Sequence, residues 1–128
     1  MNVLLSIRPK YVKKIIDGEK RYEFRKFPFK KEVEEIWIYA TSPIKRIIGS
    51  FVIGKTIEDT PENLWMSLNG SSGMNEGEFF RFFEDRGIGF AFEIKSLKLF
   101  DHPINPVKVI PDFIPPRSFR YFKRNMSF

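Results

Sequence analysis

Lys20, Glu23 and Arg25 fall within six residues of one another, and each type does distinct chemistry. Lysine offers a compact positive charge, and arginine a forked donor that fits a phosphate or carboxylate. Glutamate accepts a proton, or a hydrogen bond from the exocyclic amine of a base. The trio suits a nucleotide-like or RNA ligand. If the chain is an enzyme, Lys20 is the activator and Glu23 the general base of a hydrolase. Arg8 and Lys10 add phosphate contacts, Tyr39 or Trp37 a stacking surface, and Ser42 a hydroxyl for a sugar or phosphate. The chain has no Cys, which excludes thiolate nucleophiles and Cys-ligated zinc, and its single histidine, His102, rules out a multi-His metal centre. A carboxylate-only Mg²⁺ site stays open; no metal and no cofactor is assigned.

These residues need elements to hold them. Val3 to Ile7 reads as a strand. Arg8 to Gly18 reads as a short helix, with Pro9 in its first turn, Tyr11/Val12 and Ile15/Ile16 on one face, Lys10, Lys13 and Lys14 on the other, and Gly18 as its C-terminal cap. After the cap the period changes to two, so Tyr22 and Phe24 oppose Arg21, Glu23 and Arg25 across a strand. Lys20 has the phase of Tyr22 and Phe24. A turn at Gly18-Glu19 is therefore required to swing it toward Glu23 and Arg25.

Val33 to Ala40 is apolar on both faces and reads as a central strand. Thr41-Ser42-Pro43 is a turn, and Ile44 to Ile57 a long strand with bends at Gly49 and Gly54. Thr60 to Leu68 reads as a short helix capped by Thr60, and Asn69 to Gly77 as a flexible loop by composition. Phe79, Phe82 and Phe83 share a helical face that packs into the core. Ile88 to Leu99 is a strand whose apolar phase slips near Lys95-Ser96, as a bulge makes it do. Pro103 to Pro116 carries five of nine prolines and reads as an extended edge segment. Beyond it Phe119, Tyr121 and Phe122 interleave with Arg117, Arg120, Lys123 and Arg124. That pattern fits a nucleic-acid surface, and better still an edge packed by its aromatics.

At 128 residues the chain is sized for one domain, spanning 1–128, and its 15 Phe supply a core that needs no disulfide or metal. The net charge is +6, with basic ends and an acidic middle. Residues 1–31 hold ten Lys/Arg against three acids, 32–116 hold eight against thirteen, and 117–128 hold four against none. Ends that meet in space give one positive face for a polyanion. An acidic protein is the alternative partner. Met1 to Ile7 is too short for a signal-peptide core and no run approaches a membrane span, so the expectation is a cytoplasmic protein with no membrane partner.

The segments Leu5-Ser6-Ile7-Arg8-Pro9 and Ile15-Ile16-Asp17-Gly18, followed by Gly18-x-Lys20-x-x-Glu23-x-Arg25, resemble the signature of the ASCH domain, a member of the PUA-like superfamily. Tyr39 to Pro43 leading into Ile47 to Phe51 is similar to the family's next strand pair. The resemblance implies an α+β, mainly β fold: a small PUA-like barrel with two or three short helices and a cleft beside the signature strand. It implies an RNA- or nucleotide-binding module, and alternatively a small hydrolase, either an amidohydrolase on acylated cytidine or a ribonuclease. In the amidohydrolase-like members a threonine follows the signature lysine by three residues. Here that position is Glu23, and a carboxylate does not copy a hydroxyl's attack on an amide.

Overall fold

The structure is a computed structural model and describes residues 1–123; the interleaved cation Arg124 lies outside the described residues. Strand β1 (Asn2–Ile7) leads into helix α1 (Pro9–Ile16), β2 (Tyr22–Arg25), β3 (Ile36–Ala40) and β4 (Arg46–Asp59). Helices α2 (Pro61–Leu68) and α3 (Glu76–Phe82) follow, separated by a 3-10 turn (Asn69–Ser71). Strand β5 (Gly89–Ile104), helix α4 (Pro106–Val109) and β6 (Phe119–Phe122) complete the order. The six strands form one mixed sheet, β2-β5-β4-β3-β1-β6, curled into a half-barrel.

The apolar pattern explains the curl. β3 sits between β1, to which it is parallel, and β4, to which it is antiparallel. Its two faces serve different cores: Ile36, Ile38 and Ala40 pack with Val3, Leu5, Ile7, Val12, Ile15 and Phe51, while Tyr39 joins Leu4, Ile47 and Phe122. This is the doubly covered central strand that its sequence predicts. The β4–β5 pairing slips register around Gly49, between Ser50 and Val52, and between Ile53 and Thr56. Ser96, at φ +54°, marks the slip expected near Lys95-Ser96. Bulges of this kind bend a long strand pair that would otherwise stay flat.

The sheet ends, β2 and β6, share no ladder, and side chains join them. Phe29, just after β2, packs edge-on against Phe119 at 5.0 Å, and the Tyr121 hydroxyl accepts from the backbone N–H groups of Lys30 and Lys31. Phe122 is buried in the core. The tail aromatics thus pack the seam.

Three expectations need correction. Asn69 to Gly77 is pinned rather than loose: Ser72 is fully buried, its hydroxyl donates to Asn69 O and accepts from Met74 N–H, and Arg21 N–H donates to Ser71 O at 2.8 Å. Small polar residues there pay for a tight path with local hydrogen bonds, a property composition cannot register. Pro103 to Pro116 is not wholly extended, because Asn105 caps Val107 N–H and Pro106 opens the one-turn helix α4. The helices accordingly number four among the described residues, besides the 3-10 turn, rather than two or three.

Two glycines have conformations the fold requires. Gly18, at φ +82°, ends α1 in the left-handed cap its position predicts. Gly73, at φ +67°, lets the loop close over Lys20: a Cβ there would stand 2.6 Å from Lys20 Cβ. Gly73→Ala is expected to lower stability by roughly 1–3 kcal/mol in urea denaturation, combining left-handed strain with the collision. Gly70→Ala, where an added Cβ meets nothing within 4 Å, should stay within about 0.5 kcal/mol of the parent.

Candidate functional site

A cleft of about 870 Å³ opens where the start of α1, the end of β2, the start of α3 and the 117–118 segment converge. Six cations line it, Arg8, Lys10, Arg25, Lys26, Arg81 and Arg117, against two carboxylates, Glu23 and Glu78. The basic segment 1–31 and the start of the basic tail therefore meet, and the cleft is where they do so.

The two carboxylates differ in what surrounds them. Glu78 is fully engaged. Its Oε1 accepts from Asn75 N–H while Asn75 caps Glu78 N–H, the reciprocal pair of a capping box. Its Oε2 accepts from the Tyr11 hydroxyl at 2.6 Å and from Lys10 Nζ. Lys10, then Tyr11 and the Asn75 backbone, hold the Glu78 carboxyl down at about 2. Burial and the Glu78 contact push the Tyr11 phenol up to about 12, so it remains a neutral donor. Glu23 is different: Oε1 accepts from Phe24 N–H at 3.3 Å, and its buried Oε2 has no hydrogen-bond partner among the described residues.

Arg25 shares the strand phase of Glu23 and reaches the seam. Its guanidinium lies 4.5 Å from the centre of the Phe119 ring and 4.9 Å from that of Phe29, and Nη1 donates to Ser118 Oγ at 2.9 Å. Two aromatic faces and a hydroxyl fix the fork at the edge of the cleft. Burial lowers its pKa and the nearby Glu23 charge opposes that shift.

Lys20 lies beneath this surface rather than in it. It is 3% exposed, Nζ donates to Ser72 O at 2.8 Å, and the ammonium stands 4.9 Å from the Phe24 ring centre and 5.4 Å from that of Tyr11. Burial lowers its pKa, while Glu23 acts against that shift. The phase difference read from the sequence is thus real. Lys20 keeps the side of Phe24 and its single backbone bridge is to Ser72, so it approaches Glu23 from below without lining the cleft.

Of the other sequence candidates, Arg8 and Lys10 line the cleft. Tyr39 is buried against Phe113, 5.4 Å between ring centres, and Trp37 packs on Phe100 and Phe122; neither lines the cleft. Ser42 is exposed on its turn, and its neighbour Thr41 reaches the cleft instead. Tyr11, Glu78, Arg81, Phe27 and Ser118 went unselected in the sequence. Only Glu78 carried a local signal, Asn75 three residues before it, which marks a helix start. Among the described residues no group of three or more His, Asp or Glu is placed to hold a metal ion, and no helix is long and apolar enough to cross a membrane.

Because Glu78 ionises below the ordinary carboxylate value of 4.5, it contributes stability that is present above that pH and is lost as pH falls toward 2. Glu78→Gln is expected to melt below the parent at pH 7, with the gap closing between about pH 5 and pH 2; melting curves across that range check it.

The ASCH domain profile matches residues 5–94. A curated relative from Zymomonas mobilis, an ASCH domain-containing ribonuclease, is 28% identical over 129 aligned positions, covering 94% of this chain and 84% of the relative. The crystal structure of ASCH from Zymomonas mobilis superposes with a TM-score of 0.86 at 26% identity, over 96% of this chain and 88% of that one. A Ser-to-Ala mutant of the Zymomonas mobilis protein gives 0.86 at 25% identity, over 96% and 89%. A Tyr-to-Phe mutant gives 0.85 at 25%, over 96% and 91%. With its signature strand edging a basic cleft and the profile match running from β1 into β5, the chain belongs to the ASCH domain family.

Proposed function

We propose that the cleft binds single-stranded RNA, its phosphates on the cationic rim and a base or ribose toward Glu23. The observation that carries this reading is the pairing of a six-cation rim with one buried carboxylate oxygen, Glu23 Oε2, that lacks a partner. A buried polar atom without a partner costs free energy, and a ligand that supplies a donor recovers it. Arg8, Arg25, Arg81 and Arg117 would take phosphate, and Glu23 would accept from an exocyclic amine or a 2′-hydroxyl. Lys20 supports Glu23 from below.

A second step, RNA cleavage, is favoured by the ribonuclease name of the Zymomonas mobilis relative and by the same free oxygen. Glu23 Oε2 would accept the 2′-hydroxyl proton as that oxygen attacks the adjacent phosphorus. The P–O5′ bond breaks, and the leaving oxygen takes a proton from water. Arg25, held in place before ligand arrives, would stabilise charge building on the phosphoryl oxygens. An amidohydrolase lacks support by comparison, since position 23 offers no hydroxyl.

Fluorescence anisotropy with labelled single-stranded RNA tests binding. Four phosphate contacts give a slope of log K against log salt of roughly −3, a loss of about fifty-fold between about 50 and 200 mM. Arg25→Ala should weaken binding by about ten-fold, as loss of a charge-assisted contact does. Affinity indifferent to salt and to Arg25→Ala would remove RNA from the cleft. Gel assays of labelled RNA, with and without Mg²⁺, test cleavage: Glu23→Gln should abolish turnover while the salt-dependent phosphate contacts still hold RNA, and unchanged turnover would exclude Glu23 as the base.

A further inference from the structure

Phe27 stands at the mouth of the cleft, 56% exposed, two residues past Arg25. A single exposed Phe is ordinary on a protein surface. Phe27 differs in its backing. The Arg86 guanidinium lies 4.3 Å from its ring centre, over one face, and Arg86 is anchored where its backbone N–H donates to Phe83 O at 2.8 Å. One ring face is therefore covered by a cation, and the exposed area belongs to the opposite face and the edge. Beside it Lys26 is drawn over the Phe82 ring at 5.4 Å, and Arg81 is exposed on the same wall.

We infer that Phe27 is a stacking platform for one unpaired nucleobase, laid on the face that Arg86 leaves open, with Lys26 and Arg81 taking the phosphate beside it. This inference rests on the RNA reading of the cleft and deepens it by naming the ligand class: a strand with a free base, not merely a polyanion. A flat π-surface backed by a cation offers a base dispersion and desolvation, and the neighbouring charges locate the backbone. Phe27 has no polar side-chain atom, so the platform accepts any base and leaves discrimination to Glu23. A duplex, whose bases are already stacked, gains nothing from it.

The test compares two labelled ligands, single-stranded RNA and an abasic ribose-phosphate oligomer of the same length, on four proteins: the parent, Phe27→Ala, Phe27→Leu and Phe27→Trp. Phe27→Ala and Phe27→Leu should weaken RNA binding on the order of ten-fold, and Phe27→Trp should restore it. The abasic oligomer should bind all four equally, with an unchanged salt slope. Equal RNA affinity for the parent and Phe27→Ala, or equal losses for RNA and the abasic oligomer, overturns the platform while leaving the RNA reading intact. A parent that binds neither ligand in a salt-dependent way overturns the RNA reading, and the platform with it.

Discussion

An ammonium group taken out of water keeps its charge only if the interior supplies compensation, and Lys20 is the residue on which that constraint falls. The compensation comes from separate parts of the chain: the Ser72 carbonyl from the α2–α3 connection, the Tyr11 ring from α1 and the Phe24 ring from β2. Each of these segments is held in turn by something close to Lys20. Ser72 is locked by its own hydroxyl, Gly73 takes a left-handed turn against the lysine stem, and Tyr11 is tethered to α3 through Glu78. One buried lysine thus joins the helical insertion to the half-barrel beneath the cleft.

The second constraint is the unpaired seam of the sheet. A half-barrel has two edges with unmet backbone groups, and this chain brings them together with aromatic packing and a guanidinium instead of a ladder. Arg25 serves both purposes: its contacts to Phe29, Phe119 and Ser118 fasten the seam and hold the fork at the cleft edge. Rigid placement of a cation before an anion arrives lowers the cost of binding, since less side-chain freedom remains to be lost. The contrast between Glu78 and Glu23 follows the same logic. Glu78 is committed to two side-chain donors besides its capping box, whereas Glu23 keeps a buried oxygen without a hydrogen-bond partner among the described residues.

Much was legible from the residues themselves. Local rules are enough for α1, because Pro9, the spacing of Val12 and Ile15, and Gly18 all act within one helix. They are enough for the two-faced β3 and for the bulge at Ser96, since pleat and phase are properties of a single strand. Charge counting also indicated a basic face, because the described parts of both basic ends contribute cations to one cleft. Composition misread the Asn69 to Gly77 segment for a physical reason: the same Ser, Asn and Gly that leave a free loop unrestrained allow a buried one to satisfy its backbone at close quarters.

The family signature, the order of the strands and helices from β1 to β5 and the sign of the surface charge were determined by sequence alone, since each depends on residue type and local spacing. That Ser72 covers Lys20, that Glu78 sits beside Tyr11 across 67 positions, and that Ser118 meets Arg25 across 93 were decided only by the tertiary structure. Strand periodicity assigns a face but not the partner that covers it, and contacts between distant residues follow from how the sheet curls and where its edges close.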